Sequence, residues 1–341
     1  MTESITDRAV ETNSSAVVIT KDGKHLIDWT NGGDHRPVET MSVTKLVVAT
    51  VAAASLCKDD RAVLDESVTR WLPEWKDDER SAISLRLLLG HRSGLRSIAP
   101  VDFVDVADSY AAALDLPLDG RPTEAFVYNN LAINLVGLIA QRALGESIAA
   151  AAERLLLGPL GFRDWEWVTD ASGNPRCHFG FACRADDLAK IGSLYLNPAG
   201  ILPDWWPDRA MRSGLSYYAQ LAWIRAAITT ELTAKWRDAG VDPVLIDTVT
   251  PLLDREMDFD DIFEKIDPAL VNAARTRGLR SWEGSSGPIV GYGHDGDGGQ
   301  RLVVYPELGG VAVRLRENLD TGSMWSAFPG DAQEVLANAV R

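Results

Sequence analysis

A strongly apolar stretch follows Lys45. From Leu46 to Cys57 the sequence is apolar nearly all round, and only Thr50 and Ser55 interrupt it. A helix without a polar face lies inside a protein or in a membrane. Because this segment is too short to span a bilayer, the pattern predicts a buried central helix.

Strand patterns lie near both ends of the chain. Residues 15–30 form two β runs around Asp22-Gly23, and Asp-Gly between such runs is a hairpin signal. Near the other end, short strands are predicted at Gly287–Val290, Arg301–Tyr305 and Gly310–Leu315. The simplest closure places both chain ends in one antiparallel sheet.

Helical patterns occupy the middle of the chain. Predicted helices cover Leu64–Pro73, Ile83–Leu95, one segment at 103–114, Leu131–Leu144, Ile148–Leu157, Ala185–Leu196 and, at the end of the chain, Ala332–Val340. Separate runs of strands and helices are typical of an α+β fold. We therefore expect an antiparallel sheet flanked by helices, beside a mainly helical lobe.

This pattern also predicts a division into domains. Residues 1–60 and 280–341 form a discontinuous sheet domain, 61–203 a helical lobe, and 204–279 an insert. Residues 204–278 are expected to be wholly helical. Their aromatic side chains suit either a lid over a pocket or packing of the insert onto the body. The irregular segment 98–125 is a candidate wall of a substrate cleft.

Composition and charge restrict the possible partners. The 341 residues are 46% hydrophobic and 24% charged, as in an ordinary globular protein, and the net charge is −15. This charge argues against nucleic acid or an anionic membrane as a partner. The first residues show no basic segment followed by an apolar one, so we expect no signal peptide and a cytoplasmic location. The oligomeric state stays open.

Three cysteines, Cys57, Cys177 and Cys183, suit a reducing compartment. With His178, the last two resemble a set of metal ligands, but their spacing matches no zinc pattern. We expect them to be small buried core residues. Neither a metal nor a cofactor is predicted.

The first turn of the apolar helix carries the candidate chemistry. Ser42 and Lys45 are three residues apart and so lie on one face. A buried ammonium is costly unless it is used. The pair reads as Ser-x-x-Lys, although this pattern alone is weak because Ser42 could serve as a helix N-cap.

Three further segments follow in order: Leu88–Leu95 (Leu-Leu-Gly-His-Arg-Ser-Gly-Leu), Tyr128-Asn129-Asn130, and Gly293–Gln300 (Gly-His-Asp-Gly-Asp-Gly-Gly-Gln). Together with Met-Ser-Val-Thr-Lys at 41–45, they resemble the serine β-lactamase and penicillin-binding protein superfamily. The similarity is greatest to its class C β-lactamase-like branch of esterases, amidases, carboxypeptidases and acyltransferases. It spans about residues 15–200 and 287–340 and leaves out the insert.

The resemblance implies a catalytic group of Ser42, Lys45 and Tyr128. Ser42 would be the nucleophile that forms an acyl-enzyme. A base must take its proton, and a Ser-Lys arrangement is a recognised alternative to the Ser-His-Asp triad. An apolar helix is also an environment that lowers the pKa of a lysine. The sequence leaves open whether Lys45 or Tyr128 is the base.

Substrate-binding residues are implied at Asn130, His294, Gly296 and Asp297. Asn130 would orient Lys45 and the carbonyl side of the substrate, or else cap a helix. His294 stands where many β-lactamases have a lysine, which argues against penicillin-like substrates. By the family's geometry, the backbone N–H groups of Ser42 and Asp297 would form the oxyanion hole. His91 is expected to be structural.

The sequence therefore predicts a serine hydrolase that cleaves a small ester or amide through a Ser42 acyl-enzyme. The alternative is a transacylase that passes the acyl group to an amine or alcohol in a biosynthetic pathway. A β-lactamase or a D-Ala-D-Ala carboxypeptidase ranks lower, because both need export. A catalytically inactive binding protein ranks last, because the catalytic residue types are all present.

Overall fold

A computed structural model of the chain describes residues 2–97, 106–122, 126–207, 218–219, 222–224, 226–257, 265–275, 277, 279, 292–317, 325 and 328–339. Twelve strands occur within these ranges. They are β1 Ala16–Lys21, β2 Lys24–Thr30, β3 Val38–Glu39, β4 Trp165–Trp167, β5 Phe181–Cys183, β6 Tyr218–Ala219, β7 Ala222–Ile224, β8 Ala226–Ala227, β9 Glu256–Met257, β10 Tyr292–Gly296, β11 Gln300–Tyr305 and β12 Gly310–Leu315.

The α-helices of the same ranges flank these strands. They are α1 Thr2–Glu11, α2 Thr44–Ser55, α3 Leu85–Leu89, α4 Ser109–Leu114, α5 Asn130–Leu144, α6 Ile148–Ala152, α7 Ala185–Leu194, α8 Thr230–Asp238, α9 Pro243–Asp247, α10 Pro268–Arg275 and α11 Phe328–Asn338. The predicted strand at 287–290 and the start of the predicted helix at 103–114 lie outside the described residues.

The main sheet joins both ends of the chain, as predicted. Its strand order is β2-β1-β12-β11-β10-β7-β6, and every neighbouring pair is antiparallel. The β1–β2 hairpin turns at Asp22 and Gly23, whose φ angles are 48° and 75°. Two successive positive φ angles are what a tight hairpin requires, which is why Asp-Gly predicted it correctly. The α+β expectation is confirmed.

Apolar side chains cover both faces of this sheet. On the inner face, Val18, Leu302 and Val313 pack into the core shared with α2 and the helical lobe. On the outer face, Val17, Ala312 and Tyr305 pack against α1 and α11. All residues of α2 from Thr44 to Ala54 are buried. The prediction of a buried central helix is confirmed.

Two predictions of helical structure were wrong. The segment 64–73 contains short 3₁₀ turns instead, at Arg61–Leu64, Val68–Arg70 and Pro73–Trp75. Ser67 caps the second of these turns and its backbone bridges to Ser84. Because this tertiary contact fixes the chain direction there, a continuous helix cannot form. A second, small sheet of order β3-β5-β4 joins Val38–Glu39 to the segment 165–183.

The second error concerns residues 204–278, which are not wholly helical. In β7, Trp223 pairs with Gly293 and Ile224 pairs with Tyr292, so the insert extends the main sheet. An edge strand has unpaired backbone groups with which another segment can pair. The periodicity of the sequence does not predict which segment forms that pairing. Trp206 is buried in the main core, whereas Trp236 belongs to a separate core between α8, α9 and α10.

Among the described helices, none by itself is long and apolar enough to cross a membrane. The bent pair Asn130–Leu144 and Ile148–Leu157 meets the requirement of length and composition only when both parts are taken together.

Candidate active site

Ser42 lies in a one-turn 3₁₀ helix, Met41–Val43, that leads directly into α2. Val43 is the residue that precedes α2, so Ser42 is not its N-cap. Met41 has a φ of 51°, a conformation that costs a residue with a side chain about 1–3 kcal/mol. Such strain persists where the surroundings enforce it, and here it presents a half-buried Ser42 at the mouth of a buried helix.

Two proton-carrying groups lie within hydrogen-bond distance of the Ser42 hydroxyl. Lys45 Nζ is 3.0 Å from Ser42 Oγ, and the Tyr128 hydroxyl is 3.1 Å from the same atom. Lys45 is completely buried, and its Nζ lies 4.9 Å from the centre of the Tyr128 ring. The structure thus brings together the three residues that the sequence selected for catalysis.

A backbone carbonyl that sequence reasoning missed also holds Lys45. Lys45 Nζ donates to the His178 carbonyl oxygen at 2.8 Å. The side chain of Asn134 supports this segment, because its Oδ1 accepts from the Cys177 N–H at 2.9 Å and lies 3.3 Å from His178 Nδ1. Any residue supplies a carbonyl, so no residue type marks this contact in the sequence.

Tyr128 is held from behind by His91. The two rings stack with their centres 4.6 Å apart, and His91 Nδ1 accepts a hydrogen bond from the Asn129 N–H at 3.1 Å. Burial lowers the pKa of His91 well below its usual value, and the nearby Lys45 and His294 add to the effect. A neutral imidazole that accepts at Nδ1 carries its proton on Nε2. His91 therefore has the structural role expected of it.

Asn130 lies at the site but differs from the prediction in its contacts. Asn129, not Asn130, caps α5 by accepting from the Ala132 N–H at 2.9 Å. Asn130 is 5% exposed, and its Oδ1 has no hydrogen-bond partner among the described residues. The expected bond from Lys45 to this oxygen is not formed, because Lys45 is turned toward the His178 carbonyl. The role of Asn130 in substrate binding stays a prediction.

His294 lies on β10, with its side chain on the inner face of the sheet. The side chains of a strand alternate between faces, and this one points inward, where it is completely buried. Burial lowers the pKa of His294 well below its usual value, and the charge of Lys45 lowers it further. Its Nδ1 lies 2.7 Å from the Asp295 carbonyl oxygen, so the neutral ring donates there. The predicted role of His294 in substrate binding stays a prediction.

The glycine turn after β10 lies against the nucleophile. A Cβ on Gly296 would be 2.6 Å from the Thr40 carbonyl oxygen and 3.0 Å from Met41 Cβ, so only glycine permits this approach. The one-turn 3₁₀ helix Asp297–Gly299 follows, in which Gly298 N donates to Asp297 Oδ1 at 2.9 Å. The oxyanion role of the Asp297 N–H stays a prediction.

All three cysteines are completely buried, as expected. Burial raises the pKa of the Cys57 and Cys177 thiols to about 12, so neither is a nucleophile at neutral pH. Within the described ranges, no group of three or more His, Cys, Asp or Glu side chains could hold a metal ion.

A cavity of about 1050 Å³ lies elsewhere, at the opposite end of the sheet from Ser42. It is lined by residues of the β1–β2 turn, the β11–β12 connection and the end of α7, among them Asp22, Gly309 and Tyr195. None of the three predicted catalytic residues contributes to its wall.

Comparison with known proteins identifies the family of the chain. Residues 3–316 match the family model described as Beta-lactamase. Esterase EstB of Burkholderia gladioli is 32% identical over 149 residues, a match that covers 38% of this chain and only 38% of EstB.

Solved structures share the fold at low identity. A β-lactamase of Mycobacterium bovis has a TM-score of 0.62 and 16% identity, with 99% of both chains covered. A penicillin-binding protein homologue of Caulobacter crescentus has a TM-score of 0.64 and 14% identity, with 100% of this chain and 96% of that one covered. Because the family model spans nearly the whole sequence, the chain belongs to the Beta-lactamase family, whose members are serine hydrolases.

Proposed function

We propose that this protein hydrolyses small carboxylic esters through an acyl-enzyme on Ser42. The observation that carries the proposal is the position of Lys45 Nζ and the Tyr128 hydroxyl, at 3.0 and 3.1 Å from the same Ser42 oxygen. A serine hydroxyl is a weak nucleophile unless a neighbouring group takes its proton. Both groups are within reach of that proton without any rearrangement.

The reaction has two halves. As Ser42 Oγ forms a bond to the ester carbonyl carbon, its proton passes to Lys45 or Tyr128, and the negative charge of the tetrahedral intermediate rests on backbone N–H groups. Collapse breaks the bond to the alcohol, which takes the proton and leaves the acyl group on Ser42. Water then attacks the acyl-enzyme with the same groups acting in reverse, and the acid is released.

Burial of Lys45 supports this assignment over a purely structural one. Lys45 has no exposed surface, and an ammonium in such a place is costly unless it serves a purpose. The His178 carbonyl and Tyr128 fix its direction toward Ser42. The partial match to EstB supports an ester as the substrate class, and the acyl group itself stays unspecified.

Hydrolysis of p-nitrophenyl acetate and p-nitrophenyl butyrate tests the proposal. We expect the wild type to hydrolyse both esters. Labelling with a fluorophosphonate should increase the protein mass by one adduct and abolish this hydrolysis. Ser42→Ala should abolish both. Lys45→Met, which keeps the length of the side chain without its amine, should lower kcat by about 10²–10⁴-fold, the usual contribution of a general acid or base.

Ser55→Ala is the matched control, because Ser55 lies on the same helix and bonds only to the Val51 carbonyl among the contacts described. It should react like the wild type. A wild type that neither hydrolyses the esters nor takes up the label would refute the proposal. Product analysis with added alcohols or amines decides whether the acyl group goes to water, and turnover of nitrocefin at rates above those of the esters would replace esters by β-lactams.

A further inference from the structure

Two buried arginines lie behind the glycine turn that follows β10. Arg314 and Arg316 are 0% and 1% exposed and lie at the end of β12, on the outer face of the sheet. Arg314 Nη1 donates to the Gly299 carbonyl at 2.8 Å. Arg316 Nη1 donates to the Gly298 carbonyl at 3.1 Å. Two consecutive peptide groups of the turn are thereby held by guanidinium groups.

These arginines are themselves fixed. Arg314 Nε donates to Ser14 Oγ at 2.8 Å, and its Nη2 donates to the Thr12 carbonyl at 3.0 Å. The backbone of Arg316 forms a reciprocal pair with the side chain of Gln300, with distances of 2.6 and 2.8 Å. The turn is therefore tied to the end of β12 and to the segment after α1.

Stability alone does not account for this arrangement. Burial, followed by the charges of Arg316 and Arg301, lowers the pKa of Arg314 to about 9. In the described part of the chain, Nε and Nη2 of Arg316 have no hydrogen-bond partner. A buried charge with unmet donors is costly and is weak evidence for a stabilising role. Among the described residues, the remaining side-chain hydrogen bond of Arg316 is the one from Nη1 to the Gly298 carbonyl of the turn.

The turn needs such support because of its composition. Gly298 and Gly299 have φ angles of 73° and 85°, and glycine is the residue with the most conformational freedom to lose. On its front side the turn meets the nucleophile segment, where Gly296 lies close to Thr40 and Met41. Charge-assisted hydrogen bonds from behind are about twice as strong as neutral ones, so they fix the orientation of these peptide groups.

We infer that Arg314 and Arg316 are positioning residues, which hold the Asp297–Gly299 turn so that the backbone N–H of Asp297 faces the oxyanion formed at Ser42. This inference rests on the proposed function, since it concerns the transition state of the same reaction. An oxyanion donor acts on the tetrahedral state and much less on bound substrate. Its displacement therefore lowers the acylation rate and leaves KM nearly unchanged.

The test compares Arg316→Gln with Arg316→Lys, and uses Arg301→Gln as the control. Arg301 lies on the same face and is equally buried, but it bonds to Asp295 Oδ2 at 2.6 Å. With p-nitrophenyl acetate, we expect Arg316→Gln to lower the first-turnover acylation rate about 10- to 100-fold, part of the ~10²–10³-fold that a lost oxyanion donor costs. KM should change less than about twofold. Arg316→Lys should lie between this variant and the wild type, and Arg301→Gln should stay near the wild type.

Phenylboronic acid gives a second measurement, because its tetrahedral adduct with Ser42 places an oxygen in the oxyanion position. Its affinity should fall by the same factor as the acylation rate. If Arg316→Gln does not melt cooperatively, Arg316→Lys and Arg314→Lys carry the same test. Three results would overturn the positioning role: equal acylation rates in variant and wild type, an effect confined to KM, or an equal loss of rate in Arg301→Gln. In each of these cases, labelling of Ser42 would still support the proposed function. A wild type without a Ser42 acyl-enzyme would overturn both.

Discussion

Acidification below pH 6.5 should destabilise the protein through His91 and His294. Both side chains are buried, with 3% and 0% exposure. The pKa of each lies well below its usual value, mainly because of burial and to a smaller extent because of the charge of Lys45. In the unfolded chain the same groups take up a proton near pH 6.5. Below that pH the unfolded state binds more protons than the folded state, so the free energy of unfolding falls as pH falls.

The size of the effect follows from proton linkage. One pH unit below the unfolded pKa, a histidine that stays neutral in the folded protein lowers the free energy of unfolding by about 1.4 kcal/mol. Between pH 7.5 and 5.5 the two histidines together should therefore remove about 3 kcal/mol. This is a large fraction of the 5–15 kcal/mol that is usual for a folded protein.

Urea unfolding followed by tryptophan fluorescence at pH 7.5 and 5.5 measures this loss. The free energy of unfolding should differ less between pH 7.5 and 5.5 in His91→Gln and in His294→Gln, by about 1.4 kcal/mol for each. This holds whatever either substitution does to stability at pH 7.5. Carboxylates that titrate in this range contribute equally to all variants and cancel. If both variants lose as much stability as the wild type, the buried histidines are not the cause.

Three further predictions concern the supports of the site. Tyr128→Phe keeps the ring stacked on His91 but removes the hydroxyl. The kcat for ester hydrolysis should therefore fall about 10²–10⁴-fold, while the melting temperature stays unchanged. A wild-type rate would exclude Tyr128 from proton transfer. Gly296→Ala places a Cβ 2.6 Å from the Thr40 carbonyl and should lower both kcat and the melting temperature. Gly330→Ala is the control, because a Cβ there meets nothing within 4 Å; it should be neutral or stabilising by up to about 1 kcal/mol. If the two glycine variants behave alike, Gly296 does not need to be glycine for its close approach to Thr40. Asn134→Leu leaves the Cys177 N–H without its acceptor, so urea unfolding should show a loss of about 1–3 kcal/mol. Because the His178 carbonyl then loses its support, kcat should fall as well, and a full rate would show that this carbonyl does not position Lys45.

The features that the sequence revealed depend on local pattern. Asp22-Gly23 specifies a hairpin because two positive φ angles are needed there. The apolar run after Lys45 specifies a buried helix because no face of it suits water. Four short motifs in order selected Ser42, Lys45 and Tyr128, which the fold brings onto one hydroxyl group. The division into three domains stays a prediction.

The features that the sequence concealed depend on contacts between distant segments. The insert joins the main sheet because β10 has an open edge. The His178 carbonyl binds Lys45 from 133 positions away in the chain.

The burial of His294 and the two guanidinium groups behind the glycine turn are of the same kind. Backbone groups carry no residue signature, and the face that a strand side chain occupies is set by the sheet it joins. The sequence by itself selected the candidate catalytic residues, and the tertiary structure decided what holds each of them in place.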